Sequence, residues 1–231
     1  LRSCHVRNEA IKARRNRMQT TSITIESLSE LANEIRMRAI GSERFIVAIA
    51  GPPGAGKSTL VDELRDKLSN GHGTVPVVPM DGFHLDNAVL QDRGHLARKG
   101  APFTFDVAGY RALVERLRND RDSDVMVPLF DRDLDLARAG AGIVPAASPI
   151  VLTEGNYLLL DEAPWDSLAP LFDLTVMIET GRKTLEDRLV RRWLDHGHDA
   201  DAARARAQGN DMINADLVLT KSRPADIAWR N

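Results

Sequence analysis

Apolar residues along this chain recur in two alternating rhythms. Leu28, Leu31, Ile35 and Ala39 return at helical spacing, so residues 27–39 are expected to form an amphipathic helix that Gly41 ends. Phe45–Ala50 is apolar without interruption, which fits a strand buried on both faces of a parallel sheet. It breaks into Gly51-Pro-Pro-Gly-Ala-Gly56. A second helix is expected over residues 57–68, with Leu60, Leu64 and Leu68 on one stripe and Gly71 and Gly73 after it. Residues 75–80 read as a short strand weakened by its prolines. Residues 81–104 show no period and are expected to be a functional loop with a turn of helix. Asp106 is placed to cap a helix carrying Tyr110, Leu113, Val114 and Leu117. Strands are expected at 125–130, 150–153, 174–178 and, as the final strand, 216–220, with a polar, Gly-rich stretch and a short hairpin over 131–147. Residues 182–194 and 201–215 read as helices. Strands alternating with helices predict an α/β fold built on a doubly wound parallel sheet.

A chain of 231 residues can bury a core without disulfides or metal staples. One domain is expected over residues 23–231. Residues 1–22 are read as a disordered basic leader: Arg2, Arg7, Lys12, Arg14, Arg15 and Arg17 face one acid, Glu9, before Met18. A targeting segment is the alternative, but no apolar face repeats through the stretch. The net charge of −2 argues against a nucleic-acid binder, which needs a broad basic surface. The single cysteine, Cys4, cannot form an internal disulfide, so a cytoplasmic location is expected. No apolar run approaches the roughly 20 residues that span a membrane, and no membrane partner is expected.

The segment Gly51-x-x-x-x-Gly56-Lys57-Ser58 matches the phosphate-binding Walker A pattern. Its glycines let successive N–H groups turn inward as a nest for phosphate oxygens, and the following helix points its positive end there. The expected nucleotide-binding residues are Gly51, Pro52, Pro53, Gly54, Ala55, Gly56, Lys57, Ser58 and Thr59. Lys57 is suited to bridge the β- and γ-phosphates, and Ser58 to offer a hydroxyl to Mg²⁺. The motif follows a buried strand and opens a helix, the context its chemistry requires. Asp81 stands just after the next strand, where ligands of open parallel sheets gather. A carboxylate there can take the proton of an attacking hydroxyl or orient it. His84 and Asn87 follow within reach of an acceptor, and Arg93, His95, Arg98 and Lys99 make that loop basic.

These motifs, in this order, resemble the phosphoribulokinase/uridine kinase/type I pantothenate kinase family of P-loop kinases. They are IVAIAGPPGAGKSTL from Ile46, MDGFH from Met80, VPLFDRDLD from Val127, VLTEGNYLLL from Val151, the arginine-rich run from Arg188 to Arg192, and ADLVLTKS from Ala215. The bacterial branch labelled as fructose-transport-associated kinases is the most similar. The resemblance implies a three-layer P-loop sandwich with a small helical lid around 182–214, and ATP with Mg²⁺ as cofactors. It implies Asp81 as catalytic base and Glu154 beside Mg²⁺, with Ser58 as the other metal residue. Arg188 and Arg192 would act catalytically from the lid and Arg191 would hold the nucleotide. Arg132, Asp133, Glu154 and Asn156 would join Asp81, His84 and Asn87 around a small hydroxyl-bearing acceptor. Lys221-Ser-Arg-Pro224 would face the adenine, and homodimers, common among such kinases, are a further expectation. His84 departs from uridine kinases, which usually carry an aromatic residue there, and the acceptor stays open among sugars, pantothenate-like compounds and nucleosides. A nucleotide-binding regulatory module with slow hydrolysis, acting on a protein partner, is the alternative.

Overall fold

The computed structural model describes residues 22–69 and 74–230. Cys4, Gly71, Gly73 and the expected leader up to residue 21 lie outside the described residues. Strand β1 (Ile23–Ile25) leads into α1 (Leu28–Ala39), β2 (Phe45–Ala50) and α2 (Lys57–Ser69). Next come β3 (Val77–Pro79), a 3-10 turn (Met80–Phe83), α3 (Asn87–Asp92), two more 3-10 turns and α4 (Val107–Asn119). Then follow β4 (Val125–Asp131), β5 (Leu136–Val144), β6 (Ile150–Gly155), a 3-10 segment (Trp165–Leu171) and β7 (Leu174–Glu179). The chain ends through α5 (Arg182–Asp195), α6 (Ala200–Arg206), a π-helical turn (Ala207–Asp211), α7 (Met212–Lys221) and β8 (Ile227–Arg230).

Six strands form one parallel sheet in the order β1-β8-β7-β2-β6-β3. β2 is fully buried because it sits between β6 and β7 with a core on each face. Its side chains alternate as strand geometry demands. Phe45, Val47 and Ile49 join one apolar cluster, which holds Leu31, Leu64, Leu185 and Leu189 from α1, α2 and α5. Ile46, Ala48 and Ala50 join the other, with Tyr110 and Val114 of α4 and the buried Trp165. The doubly wound α/β class and the expected elements from residue 27 to residue 194 are present, and the Asp106 carboxylate caps α4 by accepting from Gly109 N at 2.9 Å.

Several elements differ from the sequence reading. Residues 125–130 do form a strand, but β4 pairs antiparallel with β5 in a separate hairpin outside the parallel sheet. Residues 216–220, expected as the final strand, belong to α7. Met212, Ala215 and Val218 are buried there at a spacing of three, which is helical, and the apolar run read in isolation hides that period. The last strand is instead β8, and the short edge strand β1 was not anticipated. The loop at 81–104 contains α3 and three 3-10 turns. Lys221 to Pro224 precede β8, whose Ile227 pairs with Val176 early in β7. That segment lies toward the amino ends of the strands, whereas the Walker loop leaves the carboxyl end of β2.

Candidate active site

The Walker loop opens directly from the central strand. Gly54 and Gly56 take φ of +81° and +93°, the left-handed region that a side chain disfavours. A Cβ on Gly51 would meet Ile178 Cβ at 3.2 Å, so the loop begins tight against β7. Leu60 N is the first amide of α2 to reach a backbone carbonyl, Gly56 O at 3.1 Å. The amides of Lys57, Ser58 and Thr59 find none among the described residues and stay available to an anion. Ser58 and Thr59 are exposed at this turn, while Pro52, Pro53 and Ala55 are buried beneath it. Lys57 Nζ donates to Gly51 O at 3.0 Å, Pro52 O at 3.2 Å and Asn156 Oδ1 at 2.6 Å. Burial holds its ammonium below the usual lysine range, with Glu154 and Asp81 pulling it back up.

Asp81 and Glu154 arrive from β3 and β6, the two strands on one side of β2. β3 lies against β6 with Pro79 opposite Glu154, and the turn at Met80–Phe83 carries Asp81 past the strand end. That turn needs Gly82: a Cβ there would fall 2.3 Å from Pro128 O, because β4 crosses directly above it. Gly155 similarly makes room for Met80, whose Cβ would lie 2.5 Å from an added Cβ. Burial pushes the Glu154 carboxyl up to about 7, Lys57 opposes this and Asp81 adds to it. Lys57, Glu154 and Asp81 therefore feel one another across the floor of the cleft.

The remaining expected residues divide. Arg188 reaches over the Walker loop, with NH1 3.3 Å from Gly54 O and 3.4 Å from Ala55 O. Arg192 donates to the buried Asp211 carboxylate at 2.8 Å, which also accepts from Trp193 Nε1 at 2.7 Å. Arg192 still acts on Lys57 electrostatically. Arg191 pairs with Asp195 at 3.0 Å on an exposed face, and all three arginines line an open depression of about 510 Å³. Arg132 stands 3.6 Å from the Asp81 carboxylate while its side chain is 74% exposed. Asp133, at the hairpin tip, is exposed and is not brought to the cleft by any side-chain bond among the described residues. His84 Nδ1 lies 2.9 Å from Asp81 O, and Asn87 donates to Asp135 at 2.9 Å.

The sequence marks Arg98 and Lys99 as basic but not their partners, and Phe105, Phe130 and Asn210 carry no signal there. Lys99 donates to Asn87 Oδ1 at 2.7 Å and pairs with Asp135 at 2.9 Å, closing one wall beside His84. Phe105 and Phe130 flank the His84 ring. Asn210, in the π-helical turn, donates to Lys99 O and accepts from Arg98, both at 2.9 Å. These partners are far apart in sequence, so no local pattern marks them. The basic residues Arg98 and Lys99 are turned to protein groups.

A family model for the phosphoribulokinase/uridine kinase family matches residues 46–219. The chain belongs to this family. A Schizosaccharomyces pombe protein named "putative uridine kinase" is 31% identical over 218 residues, 91% of this chain and 93% of its own. The Escherichia coli protein YggC is 36% identical over 187 residues, 80% of this chain and 76% of its own. A crystal structure titled "putative fructose transport system kinase" from Silicibacter sp. TM1040 superposes with a TM-score of 0.84 and 45% identity. It covers 89% of this chain and 100% of that one. The P-loop α/β fold and the kinase family expected from the motifs are thus both present. No helix among the described residues is long and apolar enough to cross a membrane.

Proposed function

We propose that this chain transfers the γ-phosphoryl group of ATP to a hydroxyl of a small metabolite. The observation that carries the reading is the convergence of Asp81, Glu154 and Lys57 at the carboxyl end of the sheet, beside free amides of the Walker loop. One carboxylate near Mg²⁺ serves any P-loop protein, but a second one, Asp81, suits a group that takes the proton of an attacking hydroxyl. Family membership and the kinase names of its relatives support the same reading.

Phosphate oxygens would sit on the amides of Lys57, Ser58 and Thr59. Lys57 would exchange the Gly51 and Pro52 carbonyls for those oxygens, while Asn156 keeps its ammonium in place. Asp81 would accept the proton of the attacking hydroxyl, and Arg132, already beside it, would hold the acceptor. Arg188 would meet negative charge building on the transferred group, and the α5 to α7 region would exclude water. A divalent cation fits this donor set: Ser58 is exposed at the first helical turn, and the Glu154 carboxylate accepts no hydrogen bond from a described residue. When bound, Mg²⁺ neutralises phosphoryl oxygens and keeps several of its waters.

The test is ADP release with ATP·Mg²⁺ against sugars, pantothenate, nucleosides, glycerate and pentose phosphates. One acceptor is expected to raise turnover well above the water background. Asp81→Asn should then lower that turnover about 10²- to 10⁴-fold with ATP affinity nearly intact. Unchanged turnover would remove Asp81 as the base. Tight ATP binding with no acceptor, and hydrolysis stimulated by a protein, would favour a regulatory module instead.

A further inference from the structure

His84 is held by its own turn. Its backbone N–H donates to Asp81 O at 3.2 Å, and its ring Nδ1 lies 2.9 Å from the same carbonyl. A carbonyl oxygen can only accept, so Nδ1 carries the hydrogen. The ring is clamped between Phe105 and Phe130, with centroids 4.1 and 4.6 Å away, and the backbone of His84 bridges that of Phe105. Burial in this clamp disfavours the cation and holds the ring neutral, against the pull of Asp81 and Asp135 and with the help of Lys99. A neutral imidazole with its hydrogen on Nδ1 leaves a lone pair on Nε2.

That lone pair has no donor among the described residues. Nor is Nε2 sealed from solvent, since the buried unpartnered side-chain atoms are His95 Nδ1 and Ser222 Oγ. The nearest cation cannot serve it. Lys99 gives its hydrogens to Asn87 Oδ1, to Asp135 O at 2.6 Å and to the Asp135 carboxylate at 2.9 Å. Asn87 in turn spends its amide on Asp135. His84 therefore offers a held, unpartnered hydrogen-bond acceptor, part-buried but not sealed, directly after the turn that carries the Asp81 carboxylate.

We propose that His84 Nε2 accepts a hydrogen bond from a second hydroxyl of the acceptor, which makes His84 a specificity residue for polyhydroxylated substrates. This rests on the kinase reading above. One hydroxyl gives its proton toward Asp81 and the other is read by His84, directly after the same turn. A compound lacking the second hydroxyl leaves the lone pair unpaired once water is excluded, and is discriminated against for that reason.

Two measurements on the full chain test it. The first is ¹⁵N NMR of histidine-labelled protein at pH 7, with the His84 signals identified by their loss in His84→Asn. Protonated Nδ1 and bare Nε2 are expected; a charged ring or a hydrogen on Nε2 overturns the proposal. The second uses matched pairs: uridine with 2′-deoxyuridine, D-ribose with 2-deoxy-D-ribose, D-glycerate with 3-hydroxypropionate. The wild type should prefer the hydroxylated member about tenfold or more in kcat/KM. His84→Asn keeps an amide donor for Asp81 O but deletes Nε2, so it should flatten the preference and leave the KM for ATP unchanged. His84→Gln, whose amide reaches the Nε2 position, should restore part of it. Full preference in His84→Asn overturns the proposal even when the tautomer is as expected. The tautomer is read without turnover, so a wrong tautomer counts against His84 alone. Failure to phosphorylate any acceptor counts against the kinase reading itself, and the acceptor assignment falls with it.

Discussion

Glu154 stands in β6 between the Walker loop and Asp81, and its environment sets a pH dependence. Burial raises its carboxyl from 4.5 to about 7 in the folded protein. The folded state thus binds this proton more tightly than the unfolded chain does. Stability from this group is present below about 4.5 and is lost as pH rises toward about 7. Glu154→Gln imitates the protonated form at every pH. Without nucleotide or metal, the variant's melting temperature should gain on the wild type between pH 5 and pH 8. A constant difference would contradict the burial of this carboxylate. At this scale the sequence was most informative where a contiguous motif stands: it pointed to Lys57, Ser58 and Asp81, and Lys57 and Asp81 do come within electrostatic reach of each other. Asn156 was placed among acceptor residues, yet it binds the Lys57 ammonium at 2.6 Å, a contact across 99 positions that spacing cannot announce.

The most informative single element is the π-helical turn Ala207–Asp211. Such turns are rare and often mark functional positions. Here adjacent residues face two ways: Asn210 holds the backbone of Lys99, and Asp211 holds Arg192 and Trp193. The turn ties the acceptor-side loop to the arginine helix. Asp211→Asn keeps the shape and removes the charge that fixes Arg192. It should lower kcat by about tenfold with ATP affinity little changed, and add nothing further in an Arg192→Ala background. Fully additive losses would show that Asp211 does not act through Arg192. The sequence suggested one helix over 201–215, because the extra residue of a π turn leaves the apolar spacing nearly intact. The turn rests on partners 18 to 112 residues away.

At the scale of the whole molecule, Arg44 joins parts that the sheet alone would leave apart. Only 4% exposed, it donates to the carbonyls of Leu117, Pro145, Ala146 and Ser148, at the end of α4 and between β5 and β6. Arg44→Ala leaves these carbonyls without their donor and should cost about 3 kcal/mol in urea unfolding. A loss below about 1 kcal/mol would mean that water replaces the guanidinium. By itself the sequence determined the α/β class, the buried central strand, the Walker loop and the carboxylate that follows β3, because each depends on local periodicity or on a contiguous motif. Tertiary structure decided which apolar runs became strands. Residues 216–220 are helical because α7 buries a three-residue stripe, and β4 left the parallel sheet because its partner is β5. It also decided which polar groups are engaged: Lys99, Arg98 and Arg192 are held by residues distant in the chain, while His84 keeps an unpaired ring nitrogen. Charge is written in the sequence, but pairing depends on distance in space, which only the folded chain sets.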